Sequence, residues 1–362
     1  MPFPSLISLK IRDITEETQQ AFQSSLESFS KFSPNLKRLS IYMPRPDVTF
    51  SKFFSSYIFR WRDLHIVDCG TIALDADALA HLSRMPALTH LSCTPSDTFP
   101  PSDPPVFLTN LYDLRLHSDS LDPISQLLSR IRLPAMAEFV AFIESCPSKQ
   151  ALSSFLASLQ TSAIGHTIQQ LNLADEPAIQ VAEDRRSILG FEDLQPCMAF
   201  SNLCSLCLDL SWDVRLTDIE LLALASAWPR LEHLLINGER GWNMRGAAGI
   251  TPSGLLQLLQ ACSPLREISL VIDTRNYTEF RESPAILELT LRSMFSINVI
   301  DSVIEGESVP AVTAFFVALA KSCNEFHFWP DEGFWLLRQP TAGEVRWYDV
   351  YNGVYSALSQ RS

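Results

Sequence analysis

The sequence predicts an α/β solenoid, with a curved parallel sheet inside and mostly helices outside. Three observations carry that prediction. Two consecutive copies of one helix, stop, strand unit fill residues 216–273. Each copy places three apolar residues at L-x-x-L-x-L spacing directly after the stop, Leu231, Leu234 and Ile236 in the first and Leu265, Ile268 and Leu270 in the second. The same spacing recurs from Leu6 onward to Cys323 at intervals averaging about 29 residues.

The chemistry of the unit is readable residue by residue. In the first copy Thr217 and Glu220 stand at capping-box spacing, where each side chain satisfies a backbone donor of the other. In the second copy Thr251 caps and Pro252 supplies a fixed φ at the first helical position. Pro229 and Pro264 push their predecessors out of helical geometry, so the chain leaves each helix extended. L-x-x-L-x-L then alternates as a strand does, with its last two apolar residues on one face and the residues between them on the other. Repeats of this kind are the signature of leucine-rich repeats. Leu206, Leu208, Leu234, Ile236, Ile268 and Leu270 are therefore expected to share one core.

Carried outward, the template yields about twelve units over residues 1–339. Their first apolar positions are Leu6, Leu36, Trp61, Leu88, Leu111, Met136, Ile168, Leu203, Leu231, Leu265, Ile286 and Cys323. Helices are expected over residues 15–32, 48–59, 148–160 and 310–321. In the second of these, Phe50, Phe53, Phe54 and Tyr57 stand at helical spacing and read as core. The third strand reads as Trp61, Leu64 and Ile66. Pro95, Pro100, Pro101, Pro104 and Pro105 make a helix untenable before the fifth strand, so that unit crosses in an extended or polyproline form. Met136, Phe139 and Ala141 fit the strand template weakly, and a helix is the alternative there. Residues 176–190 are polar and read as an irregular excursion, and Ile286, Leu289 and Leu291 as a strand. Residues 340–362, with Val345, Tyr348, Val350, Tyr355 and Leu358 as an apolar face, form a C-terminal capping segment, because an end repeat otherwise exposes its core.

Composition narrows the class of partner. The formal net charge of −13 and pI near 5.0 argue against nucleic acid or an anionic membrane, which need a basic surface. No secretory signal opens the sequence, and the longest apolar stretch is too short to span a bilayer. The eight cysteines are scattered rather than framed for disulfides. The expected setting is cytoplasmic or nuclear, and the sequon Asn276-Tyr277-Thr278 is a chance match there.

A family resemblance rests on Leu216-Thr217-Asp218, the run Ala227-Trp228-Pro229-Arg230-Leu231-Glu232-His233-Leu234, Trp242, Ile250-Thr251-Pro252-Ser253-Gly254-Leu255, and Val309–Ala320 with Phe326-His327-Phe328-Trp329. Over residues 191–330 the chain resembles the F-box-like leucine-rich-repeat proteins of basidiomycete fungi. The resemblance implies a substrate receptor of a cullin-type ubiquitin ligase, in which an N-terminal F-box holds a Skp-type adaptor and the repeats hold the target. Leu6 already belongs to a repeat, so the adaptor enters only if an F-box lies upstream. The alternative is a free-standing leucine-rich-repeat scaffold or inhibitor with no ubiquitin role.

Strand alternation assigns the inner face. Its expected residues include Lys10, Arg12, Arg38, Tyr42, His65, His90, Asp113, His117, Asn172, Asp209, His233, Asn237 and Glu267. His65, His90 and His117 lie on neighbouring strands but at staggered template positions, which does not make a metal site. Cys204 and Cys207 form a lone C-x-x-C without two further ligands. The glycines of residues 237–249 match neither a dinucleotide fingerprint nor a P-loop. No catalytic set, cofactor motif or metal motif is present. What remains is a protein target on the concave face or the strand-end loops. Trp212, His233, Trp242 and Glu267 are the candidate contacts, the two tryptophans as exposed interface anchors.

Overall fold

The computed structural model describes residues 6–12, 14–15, 18–44, 46–96, 105–176, 187–238, 241–242, 249–280, 294–299, 301–322, 325–329 and 342–359. The chain divides into two compact units, Met1–Pro177 and Ala178–Ser362. In each unit short strands pair in parallel with the next repeat, and helices fill most connections, which is the α/β leucine-rich-repeat architecture.

In the first unit seven strands lie in chain order: β1 (Ser8–Ile11), β2 (Arg38–Ile41), β3 (Ile66–Leu74), β4 (His90–Pro95), β6 (Asp113–Ser118), β8 (Glu138–Ile143) and β9 (Gln170–Asp175). A two-residue pair, β5 (Val106–Phe107) with β7 (Ile131–Arg132), stands apart from this sheet. The connections carry α1 (Gln19–Phe32), α2 (Val48–Ile58), α3 (Ala76–Leu82), α4 (Leu121–Arg130) and α5 (Lys149–Ser162). Asp47, Asp75 and Ser148 each accept from a backbone N–H of the first turn of α2, α3 and α5, supplying the side-chain acceptors a helix start lacks. In α2 the rings of Phe50 and Phe54 are fully buried and stack with centroids 6.3 Å apart, and the Phe22 ring of α1 lies 5.9 Å from Phe50. Phe50, Phe54 and Tyr57 are core, as their spacing predicts, whereas Phe53 is only half-buried, its ring stacked 5.0 Å from that of Tyr57.

The third repeat sits later than the template has it. Arg38 pairs with Ile66 and Leu39 with Val67, so Leu64, Val67 and Cys69 take the apolar positions in place of Trp61, Leu64 and Ile66. The reason lies in Trp61: its indole is fully buried and donates Nε1–H to the Ser33 carbonyl at 3.2 Å, anchoring the end of α2 before the strand begins. The stretch at Met136 is a strand, since Phe139, Ala141 and Ile143 are buried alternately in β8 against β6 and β9. The helix alternative fails there because burial follows period two.

In the second unit the order is β11 (Ser205–Asp209), β13 (His233–Ile236), β14 (Glu267–Ser269), β15 (Met294–Asn298) and β16 (Glu325–Trp329). A short pair, β10 (Ile188–Leu189) with β12 (Asp213–Val214), lies outside that series. Residues Phe191–Leu194 form a short helix, α6, and α7 (Asp218–Ala227) and α8 (Pro252–Ala261) are the helices of the doubled unit. Both caps form as read: Thr217 N–H donates to Glu220 Oε2 at 2.8 Å, and Gly254 N–H donates to Thr251 Oγ1 at 3.1 Å. Leu206, Leu208, Leu234, Ile236, Ile268 and Leu270 are all buried, none more than 3% exposed.

One late expectation lies outside the described residues, and another needs correction. Ile286, Leu289 and Leu291 lie outside the described residues, and the strand that pairs with β14 is β15, where Phe295 and Ile297 are buried. The final helix, Ala342–Ser359, buries Trp347, Val350 and Val354, whereas Val345 and Tyr348 are 46% and 48% exposed. Its buried stripe follows Trp347 because that indole donates to the Ser302 carbonyl at 2.8 Å and meets the Phe316 ring edge-on at 6.0 Å. The helix packs on Val309–Ala320 through Gly353, where a Cβ would lie 2.6 Å from Thr313 Cγ2. No described helix is long and apolar enough to cross a membrane.

Candidate functional site

Strand register brings two of the four candidate residues together. His233 of β13 is the direct partner of Glu267 of β14, and the two side chains meet at 3.1 Å between Nδ1 and Oε2. A carboxylate only accepts, so Nδ1 carries the hydrogen in this contact. Both side chains remain accessible, 38% and 47% exposed. Ser205, Ser296 and His327 extend the same row onto β11, β15 and β16. Immediately before the strands Arg266 Nε stands 3.2 Å from Glu232 Oε2. The result is a polar, half-exposed row on a backbone pinned by parallel ladder bonds.

The tryptophans have a different role. Trp212 is 2% exposed and Trp242 fully buried, so neither offers the exposed anchor expected of it. Trp242 donates Nε1–H to the Ile236 carbonyl at 2.8 Å, while its backbone N–H donates to Asp301 Oδ1 at 2.8 Å. Gly241 precedes it at φ 79°, with a hypothetical Cβ only 2.5 Å from Asp301 Cγ. Asn237, placed on the inner face by alternation, is instead fully buried at φ 49°. Its Nδ2 donates to the Trp212 carbonyl at 2.7 Å and its Oδ1 accepts from Leu210 N–H at 2.9 Å. A buried indole or amide requires such partners. Those groups tie the strand ends of β11 and β13 together. The signal that separates them from surface contacts is Asn237 directly after a strand, a residue type that tolerates left-handed backbone.

The histidines of the first unit do not converge. His65 lies just before β3, its Nε2 3.7 Å from Asp63 Oδ1. His90 shares a 2.7 Å hydrogen bond with Thr89 Oγ1, and His117 stacks on Phe142 at 5.1 Å. Burial pushes the His117 pKa below its usual value, helped by Arg115 and opposed by Asp68. Asp113, also assigned to the open face, is 4% exposed and holds the Arg115 guanidinium at 3.0 Å. Among the described residues no group of three His, Cys, Asp or Glu side chains could hold a metal ion. Burial raises the thiols of Cys93 and Cys197 to about 12, which leaves them protonated and unreactive at neutral pH.

No family model matches the chain, and no curated protein matches it. Several solved structures are similar in fold. An internalin from Listeria monocytogenes shares 16% identity over 89% of this chain and 72% of that one, with a TM-score of 0.40. The leucine-rich-repeat ectodomain of the receptor kinase GASSHO1/SCHENGEN3 from Arabidopsis thaliana, solved in complex with CASPARIAN STRIP INTEGRITY FACTOR 2, shares 13% over 89% of this chain and 41% of that one, with a TM-score of 0.32. A chain of the yeast Rad7 and Elc1 complex shares 11% over 87% of this chain and 88% of that one, with a TM-score of 0.31.

Proposed function

We propose that this chain is a protein-recognition module whose repeats hold a target protein against the open face of the second unit, in the manner of the target-binding repeats of F-box receptors. The observation that supports it is the row of His233, Glu267, Ser205, Ser296 and His327 in register across parallel strands. Such a row offers donors and acceptors at about 4.8 Å intervals on a preorganised backbone, which suits a protein surface. A small metabolite calls for an enclosed pocket instead. Partial exposure of the His233–Glu267 pair leaves it free to exchange its internal contact for an intermolecular one.

The test replaces the two open residues and spares the buried tryptophans. His233→Ala with Glu267→Lys removes the pair and reverses one charge on the row. Affinity capture from cells carrying the tagged protein is then compared between wild type and variant. Loss of the captured target with unchanged melting temperature supports the reading, and recovery of identical partners places the contact elsewhere. A Skp-type adaptor and a cullin in the wild-type capture support the ligase role. Reproducible targets without them favour the scaffold or inhibitor.

A further inference from the structure

The open face of the first unit carries a cavity of about 350 Å³ whose walls include Lys10, Arg12, Ser40, Tyr42, Asp68 and Gly70. Register explains why these residues meet. Lys10, Ser40 and Asp68 occupy one row across β1, β2 and β3, and the Tyr42 N–H donates to the Ile11 carbonyl at 2.9 Å, which sets Tyr42 beside Arg12. Past Asp68 the register of β3 against β4 shifts. Gly70 takes φ 45° there, and a Cβ on it would meet nothing within 4 Å. The irregularity thus withholds a side chain where a regular strand would place one and leaves that end of the cavity open. Tyr42 is 57% exposed on its wall.

The charges define what fits. Among the described residues neither Lys10 nor Arg12 forms an ion pair, in a chain whose net charge is −13. Screening limits the reach of remote charges to about 8 Å at physiological salt, so a short acidic segment feels this pair of cations rather than the overall negative charge. An extended polyanion runs beyond the pair and meets that surplus. Asp68 adds a second condition. It stands two strands from the cations, about 10 Å away, and a carboxylate can only accept. An extended peptide advances about 3.3 Å per residue, so a carboxylate on β1 leaves backbone N–H donors about three residues along, over Asp68. A DNA backbone, which lacks the 2′-hydroxyl, brings no donor to that point.

We propose that this cavity binds an acidic segment of a partner protein, with a side-chain carboxylate between Lys10 and Arg12, backbone N–H groups on Asp68, and Tyr42 packed along the segment. An exposed tyrosine amid complementary charge is a favoured anchor for such a contact. The proposal rests on the reading of the chain as a protein-recognition module and gives that module a second contact with defined chemistry.

The test measures fluorescence anisotropy of a labelled Gly-Glu-Glu-Gly-Glu-Glu peptide with the full chain, alongside a Lys-for-Glu peptide, inorganic phosphate and a single-stranded oligonucleotide. Wild type is expected to bind the acidic peptide selectively. Lys10→Glu with Arg12→Glu should weaken it by at least about tenfold, which corresponds to 1.4 kcal/mol. Lys10→Gln with Arg12→Gln should fall between, and Tyr42→Ala should weaken binding without changing its salt dependence. Circular dichroism melting confirms that each variant folds, and the milder Gln pair serves if the Glu pair does not. Equal binding by wild type and the Gln pair overturns the proposal. So does competition by phosphate at the peptide's own affinity, or preference for the oligonucleotide. If the peptide fails to bind while the target of the His233–Glu267 row is still captured, the cavity assignment falls and the recognition reading stands.

Discussion

Trp242 shows how a single residue divides between surface and core. Its N–H bond to Ile236 and its own backbone bond to Asp301 make it a fixture of the turn after β13. Trp242→Phe keeps most of the buried area but leaves the Ile236 carbonyl unpaired, so it should cost about 1–3 kcal/mol in urea unfolding. Trp242→Ala should cost about 3–5 kcal/mol. An interface role without structural weight would leave both midpoints unmoved. His117 offers a pH test of the same kind. Because burial lowers its pKa below 6.5, the unfolded chain takes up this proton before the folded one does. The stabilising contribution is therefore present above that ordinary value and lost as pH falls through the lower folded value. The unfolding midpoint of wild type should drop between about pH 7 and about pH 5 by more than that of His117→Phe, which cannot titrate.

At the scale of elements, the doubled unit was legible because caps, stops and spacing all agreed. Thr251 is its most connected cap: Oγ1 accepts from Gly254 N–H and stands 2.6 Å from Asp218 Oδ2, while its own N–H donates to Asp218 Oδ1 at 2.8 Å. Asp218 lies in the first turn of α7, so one carboxylate ties the starts of both helices. Thr251→Ala should cost about 0.5–2 kcal/mol as a lost cap. A double-mutant cycle with Asp218→Ala should show coupling of about 0.5–3 kcal/mol, and additive losses would refute the tie. Elsewhere the same spacing rule misled for physical reasons. Trp61 satisfies L-x-x-L-x-L yet belongs to the turn, since alternation continues equally well from Leu64 and only the indole's need for an acceptor distinguishes the two. The His233–Glu267 pair was readable from alternation, because both fall at the same template position. The cavity beside Tyr42 was not, because it depends on the register shift at Gly70, which no spacing announces.

Across the whole molecule, stability is distributed among repeats rather than concentrated in one centre. Leu114 and Leu234 hold equivalent buried positions in their own units. Either residue changed to Ala should cost about 2–5 kcal/mol. Each repeat is supported by its immediate neighbours, so the damage should stay near its source. Hydrogen exchange is expected to lose amide protection around β13 in Leu234→Ala while β1 to β3 keep theirs, and around β6 in Leu114→Ala while β13 to β16 keep theirs. Uniform loss of protection in both variants would mean the chain behaves as one cooperative block.

The parallel pairing of successive strands also has a mechanical meaning. Among the described residues of either unit, no strand pairing joins the first repeat directly to the last, since each strand is held by its neighbours in chain order, β1 by β2 and β2 by β3 in the first unit, β13 by β14 and β14 by β15 in the second. Stretched between its ends, such a sheet gives way by peeling, one ladder at a time, at low and similar forces. Each released repeat of about 29 residues adds about 100 Å of slack thread. A trace of many small, even steps, rather than one tall rupture, is the signature this topology would leave, and it would let the chain yield under tension and rewind from whichever repeats remained.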